Sequence, residues 1–224
     1  KNDIMFVADN QAGFGYFKNF GKTQRQGVEV SLDRKVDDLN IGANYTFLDA
    51  TYQSSEIVNG TGNSTNDAGS GLEGTIAIKP GNKIPLIPAH MFKVYVDYQF
   101  VKDWFANVNV MGYSSSYARG NENNAHQPDG TYYLGSGKSP GYVLLNYGMR
   151  FTPSFVPGLQ VFGQINNLLD KQYSSGAQLG ATGFDANGNF QARPFSSNTA
   201  SVQQATFYAP GAPRTFWLGM RYSF

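Results

Sequence analysis

The sequence predicts an all-β protein, an antiparallel transmembrane β-barrel, and three observations support this prediction. Stretches in which every second residue is apolar recur along the chain, whereas a helical period of 3.6 residues is hardly seen. Short and long connections alternate between these stretches. Charged residues make up 15% of the 224 residues, against about 25% in typical soluble domains. With so few charged residues, the surface of the protein is not solvated mainly through charged side chains.

Eight strands are predicted, each with one apolar and one polar face. In one of them, Phe92, Val94 and Val96 alternate with Lys93 and Asp97. Such segments have about the 9–11 residues that cross a bilayer as tilted strands. The predicted strands span residues 1–8, 14–33, 39–53, 89–101, 104–118, 141–152, 158–173 and 212–224.

The connections between these strands differ in length in a regular way. Those after the second, fourth and sixth strands are short, such as VKD at 101–103. Those after the third, fifth and seventh strands are long and rich in Gly, Asn and Ser, at 54–88, 119–140 and 174–211. One rim therefore carries tight turns and the other carries large loops, which is the asymmetry of outer-membrane barrels. A soluble β-sandwich is disfavoured, because long structureless loops are uncommon in compact domains.

The last predicted strand ends at the last residue of the chain. In lipid, an open sheet edge would leave backbone groups unsatisfied, so this strand is expected to pair with the first. Its alternation also resembles the C-terminal signal by which the barrel assembly machinery recognises bacterial outer-membrane proteins. Leu218 is expected to face hydrocarbon and Gly219 the barrel interior. The residues of the assembly signal are Phe216, Leu218, Met220, Tyr222 and Phe224.

Aromatic residues gather near the ends of the predicted strands. Such girdles are typical of the two membrane–water interfaces of a barrel. The residues expected in the girdles are Tyr52, Tyr98, Phe100, Trp104, Tyr142, Phe151, Tyr173, Tyr222 and Phe224.

Charge and residue usage exclude several classes of function. The net charge of +1 provides no general attraction to nucleic acid, so no nucleic-acid partner is expected. The absence of cysteine excludes disulfides and thiolate metal sites. His90 and His126 are expected at a rim and in a surface loop, and no nucleophile elbow accompanies them. We therefore expect no enzymatic activity, no cofactor and no metal site.

One loop segment, FDANGNF at 184–190, has acidic and amide residues at a spacing similar to that of calcium loops. However, Gly188 stands at the wrong position and no Glu closes the loop. The dipeptide Asn187-Gly188 between aromatic residues predicts a hairpin with a type I′ turn instead.

Seven stretches resemble the C-terminal part of TonB-dependent outer-membrane receptors, and they run nearly the whole length of the chain. The most specific combination is NLLD at 167–170 followed by Tyr173, together with PGAPR at 210–214 before the final strand. The stretches are GYFKNFGKTQRQGVEVSL (15–32), NYTFLDATY (44–52), GNKIPLIPAH (81–90), ARGNENN (118–124), GYVLLNYGMRF (141–151), INNLLDKQY (165–173) and FYAPGAPRTFWLGMRYSF (207–224).

This resemblance implies a barrel of about 22 strands with a plugged lumen. The predicted strands would be its C-terminal eight, and residues 1–224 would lack the plug domain and its energy-coupling box. The resemblance further implies a receptor of the bacterial outer membrane, surrounded by lipid, that imports a scarce nutrient through coupling to the TonB complex. A ferric siderophore is the first candidate for the nutrient, and cobalamin, haem, thiamine and saccharides are the other candidates. A small passive or adhesive barrel of eight strands is the alternative.

Two sets of residues are candidates for binding. Charged side chains predicted to point into the lumen face water or pair with the plug, because an unpaired buried charge is costly; they are Glu29, Lys93, Asp97, Arg150 and Arg221. In the long loops, aromatic residues stand beside Arg and amides, which suits an anionic, partly planar ligand and equally suits loops that pack on one another. The candidate ligand-binding residues are Arg119, Asn121, Glu122, Asn123, Asn124, Tyr132, Tyr133, Phe184, Arg193 and Tyr208, with Phe190 and Phe207 as further aromatic residues in the same loop as the last three.

Overall fold

The computed structural model describes residues 2–8, 15–72, 74–192 and 201–224. Within these ranges the chain forms strands, turns and loops and contains no helix, so the prediction of an all-β fold is confirmed. No helix that could cross a membrane is found among the described residues. The strands, in chain order, are β1 (Asn2–Ala8), β2 (Gly15–Val36), β3 (Leu39–Tyr52), β4 (Glu56–Asn59), β5 (Thr75–Ile78), β6 (His90–Val101), β7 (Trp104–Tyr113), β8 (Ser116–Tyr117), β9 (Tyr133–Leu134), β10 (Lys138–Ser139), β11 (Tyr142–Phe151), β12 (Leu159–Asn166), β13 (Ser174–Asp185), β14 (Val202–Pro210) and β15 (Thr215–Tyr222).

Eight of these strands form one antiparallel sheet in which each strand lies beside the next in the chain. The order is β1-β2-β3-β6-β7-β11-β12-β15. These eight correspond to the predicted strands, but the fifth prediction, 104–118, is too long, since β7 ends at Tyr113 and β8 pairs with β10 in a separate sheet. The remaining strands, β4, β5, β8, β9, β10, β13 and β14, lie in the three long connections on one rim. The opposite rim carries the short connections, as predicted.

The seventh predicted strand is shorter than expected, because the chain turns immediately after Asn166. Asn167 and Asp170 both have a φ of 51°, in the left-handed region. The side chain of Asn167 binds the backbone of Lys171 twice, accepting from its N–H at 2.8 Å and donating to its C=O at 3.0 Å. This local turn replaces the sheet pairing that the prediction extended to Tyr173.

The register of the sheet separates an apolar face from a polar face, because directly paired residues share a face. On the polar face, Glu29 is level with Thr46, Lys93 with Asn44, and Arg221 with Gln160. Following the pairing across all the central strands places the charged residues predicted to point inward on this one face: Glu29, Lys93, Asp97, Arg150 and Arg221.

The apolar face is broad and exposed in the described chain. It carries Val28, Val94 and Val108 on central strands, and Leu218 on β15 is 85% exposed. A contiguous apolar surface of this extent is typical of a face that contacts a partner or a membrane. The expectation that Leu218 and Gly219 lie on opposite faces follows from the pairing of Leu218 with Gly163 and of Gly219 with Phe162.

The eight-stranded sheet is open, with β1 and β15 at its two edges. The expected pairing of the last strand with the first is therefore not seen within the described residues. A closed barrel of eight strands would require this pairing, so the arrangement disfavours the small passive or adhesive barrel.

Two glycines on the polar face lie directly under aromatic rings of the neighbouring strand. A Cβ atom on Gly42 would lie 2.2 Å from the ring of Tyr95, and one on Gly219 would lie 2.4 Å from the ring of Phe162. These positions accept no side chain unless the ring moves. A substitution at Gly219 therefore tests ring packing as well as the facing of the strand.

The largest apolar cluster lies under the first long connection. Phe20 and Tyr52, with ring centroids 5.0 Å apart, pack with Val58, Ile76 and Ile78. The hairpin β4–β5 covers these two rings. Tyr52 is therefore buried in this cluster, and the expectation that it belongs to an interfacial girdle is wrong.

Replacing Leu218 with Arg is expected to destabilise the protein by about 2–4 kcal/mol in a bilayer, because the apolar face would then carry a charge into hydrocarbon. Trp217, next to it on the polar face, is the matched control, and Trp217→Arg should cost about 1 kcal/mol or less. The measurement is the free energy of unfolding by urea in lipid vesicles. Equal losses at the two positions would show that the apolar face does not contact lipid.

Candidate functional site

The three long connections fold together on one rim of the main sheet. We name them loop A (residues 53–89), loop B (114–141) and loop C (167–214); residue 73 and residues 193–200 are outside the described ranges. Backbone hydrogen bonds join all three loops: Leu86 N–H donates to Tyr117 C=O at 2.9 Å, and Val202 N–H donates to Gly71 C=O at 3.2 Å. The loops therefore form one packed unit.

The centre of this unit is a small sheet, here named the loop sheet, that combines loops B and C. The hairpin β13–β14 of loop C supplies its two middle strands. Loop B adds a segment on each edge: Arg119 bridges Gln178 of β13, and β9 pairs in parallel with β14. Loop B thus holds both edges of the hairpin.

One face of the loop sheet is buried and built from small or polar residues. Ala118, Ala177 and Leu179 form an apolar cluster on it. Gln204 on β14 is 0% exposed, and neither polar atom of its side chain has a hydrogen-bond partner. The buried face packs against loop A, where Gly62 approaches Leu179 so closely that a Cβ on Gly62 would lie 2.8 Å from the backbone N of Gly180.

The other face of the loop sheet is exposed and presents a mixed set of side chains. Arg119 is level with Gln178, and Gln178 is level with Phe207, so these three form one row across three segments. All three are exposed, Phe207 to 49%. Neighbouring strands are about 4.8 Å apart, so the row places a guanidinium, an amide and an aromatic ring within the span of a small molecule.

Asparagine side chains hold loops A and B together. Asn63 of loop A donates to Gly120 C=O at 2.9 Å and to Asn123 Oδ1 at 3.1 Å. Asn123 donates in turn to Thr65 Oγ1 at 2.7 Å. Asn124 donates to Lys83 C=O at 3.0 Å and accepts from Lys83 N–H. Amides with these partners satisfy the polar backbone of loops that have little regular structure, and Asn63 among them is fully buried.

His126 is a buried member of the same junction. Its Nδ1 accepts from Ser64 N–H at 3.1 Å, which leaves the hydrogen on Nε2, 3.3 Å from Gly135 C=O. Burial lowers the pKa of His126 below its ordinary value of 6.5, although the bond to Gly135 and the nearby Asp129 act in the opposite direction. The expectation that His126 lies in a surface loop is wrong, since its side chain packs against Tyr133 between the loops.

Glu122 is also buried, at 6% exposure. Burial raises the pKa of its carboxyl group, while the N–H of Gly120 and the charge of Arg119 partly offset this rise. The carboxylate accepts from Gly120 N–H at 3.0 Å. Glu122 therefore acts within loop B, at the segment that forms one edge of the loop sheet.

The predicted ligand-binding residues divide into two groups by their surroundings. Arg119, Phe184 and Tyr208 are exposed and Tyr132 is half-buried. Arg193 lies outside the described residues. The side chains of the others are engaged in contacts within and between loops: Asn121, Glu122, Asn123, Asn124 and Tyr133. Their role in ligand binding stays a prediction.

Gln178 and Phe207 complete the exposed row; Phe207 is one of the loop aromatics noted in the sequence, whereas Gln178 is not among the predicted ligand-binding residues. Phe207 lies beside Tyr208 in the sequence, and an aromatic pair before PGAPR was the available signal. Gln178 sits in the segment SSGAQLGATG, where nothing in the alternation of residue types marks it. Its position becomes evident only from the pairing with Arg119 and Phe207.

The turn at residues 185–189 of loop C, between Phe184 and Phe190, differs from the predicted type I′ turn. Gly188 has a φ of 84°, whereas Asn187 is not among the residues with positive φ, and a type I′ turn needs both. Asp185 instead accepts from Asn187 N–H and Asn189 N–H, both at 2.9 Å. These bonds lower the pKa of Asp185, with the backbone N–H of Asn189 as the largest cause. The carboxylate is thus occupied by the turn.

The polar face of the main sheet carries a second region rich in charge near the short-turn rim. A cavity of about 360 Å³ is lined there by Asp33, Lys35, Asp97 and Arg150, among others. Arg150 also lies over the ring of Phe105, with 4.3 Å between the guanidinium carbon and the ring centroid. That these side chains point into a lumen stays a prediction. No cluster of three or more His, Cys, Asp or Glu suited to a metal occurs among the described residues.

The chain matches the family model described as TonB dependent receptor-like, beta-barrel, over residues 1–168. It is similar to the siderophore receptor PiuA from Acinetobacter baumannii, with 17% identity, a TM-score of 0.57, and coverage of 97% of this chain and 24% of that chain. It is similar to the ferric-catecholate import receptor Fiu from E. coli K12, with 18% identity, a TM-score of 0.55, and coverage of 98% of this chain and 23% of that chain. It is also similar to the copper transporter OprC, with 16% identity, a TM-score of 0.58, and coverage of 100% of this chain and 27% of that chain. At these identities the likeness to the solved structures shows the fold alone, and the chain spans about a quarter of their length.

The junction of loops A and B is expected to weaken as the pH falls. The folded junction keeps His126 neutral, so it binds fewer protons than the unfolded chain, and its stability is lost as the pH falls through 6.5 and then through the lower pKa of the folded state. Glu122 acts with the opposite sign, since its raised pKa makes the junction less stable as the pH rises above 4.5. The variant Glu122→Gln removes this opposing contribution.

In Glu122→Gln, the hydrogen-exchange protection factors of residues 61–66 should fall between about pH 7.5 and about pH 5.5. The factors are corrected for the intrinsic exchange rate at each pH. The matched control adds His126→Gln, which keeps an acceptor for Ser64 but does not titrate. The same pH dependence in this double variant would show that His126 is not its source.

Proposed function

This chain belongs to the TonB-dependent receptor-like β-barrel family, and from this premise we propose that it is the C-terminal part of the barrel of an outer-membrane receptor. The main sheet is a segment of the wall of a larger barrel, of about 22 strands as in plugged transporters. The open edges at β1 and β15 and the share of the solved structures that the chain spans support this proposal. The plug domain lies outside residues 1–224.

The proposed activity is import of a scarce nutrient, with a ferric siderophore as the favoured substrate. Two of the similar structures are named as a siderophore receptor and a ferric-catecholate import receptor. Energy for import comes from the inner membrane through the TonB complex, which acts on the plug. In this proposal the chain supplies the wall, the outer loops and the C-terminal assembly signal recognised by the barrel assembly machinery.

The observation that carries the ligand proposal is the exposed row on the loop sheet. Arg119 attracts an anionic ligand and can donate two parallel hydrogen bonds to a carboxylate or catecholate edge. Phe207 offers an aromatic face for a planar group, and Gln178 lies between them with a donor and an acceptor. A ferric siderophore combines negative charge with flat chelating groups, so it matches this row in both respects.

The remaining predicted ligand-binding residues take two roles in this proposal. Tyr132 and Phe184 lie farther along the loop sheet as further aromatic contacts, whereas Tyr208 is level with Ala177 and so lies on the face opposite the row. The other residues fix the loops in place through their contacts: Asn121, Glu122 and Tyr133 are buried, and Asn123 and Asn124 are half-buried. Removing a buried amide leaves its partners unsatisfied at about 1–3 kcal/mol each.

The charges on the polar face belong to the lumen side in this proposal. Lys93, Asp97 and Arg150 lie on central strands of the sheet, with Glu29 and Arg221 nearer its edges. Water or the plug solvates these groups, because the apolar face is the one compatible with lipid.

Substrate identity is tested by growth under iron limitation on a panel of single siderophores, comparing a deletion strain with the complemented strain. The deletion strain should fail on one siderophore or a few related ones, and complementation should restore growth. Normal growth of the deletion strain on every iron source would overturn the proposal of siderophore import.

For the siderophore found in this way, Arg119→Ala should weaken binding about tenfold, because it removes a charged hydrogen-bond donor. The readout is the Kd measured with purified receptor by quenching of tryptophan fluorescence. The control variant Lys102→Ala removes a cation in the short turn at the opposite rim and should leave the Kd unchanged. Equal Kd values for the Arg119 variant and the unmodified receptor would exclude the exposed row as the binding surface.

A further inference from the structure

A groove of about 550 Å³ lies at the long-loop rim of the main sheet, between the ends of β6, β7 and β11. Phe92 and Val143 line its apolar part. His90, Ser114 and Lys171 line its polar part. The groove thus joins a hydrocarbon-like wall to a cluster of hydrogen-bond donors.

The groove belongs to the apolar face of the sheet. His90 and Phe92 share that face with Tyr45 and Phe47, and Val143 is level with Gly112 and through it with Phe92. The strands that form the groove are in the middle of the sheet and are hydrogen-bonded on both sides. Additional barrel strands join only at β1 and β15, and a plug would lie against the polar face. Neither can fill this groove.

The charge of the groove is positive. No carboxylate is among the described residues that line it. Lys171 is exposed, and none of the described carboxylates pairs with its ammonium group; the adjacent Asp170 is held by Arg214, whose N–H donates to it at 3.0 Å. A cation left uncompensated next to an apolar wall suits an amphiphile with an anionic head.

His90 adds a second donor at the same place. The hydroxyl of Tyr45 lies 2.8 Å from His90 Nδ1. When this hydroxyl donates to Nδ1, the hydrogen of the ring is on Nε2 and can be donated to an oxygen in the groove. Phosphate oxygens accept from both ammonium and imidazole N–H groups.

We propose that this groove binds a phosphate-bearing lipid of the outer leaflet, with its phosphate at Lys171 and His90 and an acyl chain along Phe92 and Val143. The proposal rests on the orientation given by the proposed function, in which the apolar face contacts lipid and the long-loop rim is at the outer surface. It extends that function, since the lipid contacts neither the loop-sheet row nor the lumen.

The test is native mass spectrometry of the complete receptor, purified in detergent, delipidated and incubated with hexa-acylated lipid A that carries two phosphates. The unmodified receptor should retain this lipid. Lys171→Ala should retain about fivefold less, because one cation near a lipid surface contributes roughly this factor. Lys171→Arg should restore retention, and lipid A without phosphates should be retained only weakly.

The matched control is Lys138→Ala, which removes a cation at the same rim, where the Lys138 ammonium lies 4.7 Å from the ring centroid of Tyr117. Its retention should equal that of the unmodified receptor. Equal retention by Lys171→Ala would overturn the proposal, as would displacement of the lipid by inorganic phosphate, which would identify a soluble anion as the occupant. Siderophore uptake, measured in parallel, separates the two proposals. The Lys171→Ala receptor should take up siderophore normally. Absence of uptake by the unmodified receptor as well would contradict the transport function without affecting the lipid result.

Discussion

The main sheet depends on one constraint: in hydrocarbon, each backbone N–H and C=O group needs a partner within the protein, at a cost of several kcal/mol where it has none. Antiparallel pairing satisfies this need along β2, β3, β6, β7, β11 and β12, which have neighbours on both sides. The same pairing forces successive side chains to opposite faces. Because apolar and polar residues alternate in the sequence, this pairing collects the apolar residues on one face and the polar residues on the other. The chemistry of the sites on each face follows from this separation.

The wall of the sheet could be predicted from the sequence because its signal is local. Alternation in segments such as FKVYVDYQF marks both the strand and its two faces, and the eight predicted strands are those of the main sheet. The end of β12 was missed because the turn depends on the side chain of Asn167 binding the backbone of Lys171, not on a change in hydrophobic pattern. The type I′ turn was missed because Asp185 accepts two backbone N–H groups and so stabilises another turn.

The loops could be predicted in length but not in structure. Their contacts join residues far apart in the chain, such as Asn63 with Gly120 and Asn66 with Tyr133, and no period in the sequence reports such pairs. Polar residues that looked suited to ligand binding instead satisfy the backbone of the loops: Asn121, at 1% exposure, donates to Gly137 C=O within loop B, and Asn124 donates to Lys83 C=O of loop A. An amide has the same donors and acceptors in either role, so its residue type does not distinguish them.

Loop B holds both edges of the loop C hairpin, and loop A covers the buried face of the same sheet. These three segments consequently form a single interlocked body, in which a change in the length of one alters the fit of the other two. Transplanting one of them into a related barrel would break contacts on two sides. A protein engineer who wishes to transfer the exposed row of the loop sheet would have to exchange all three loops together.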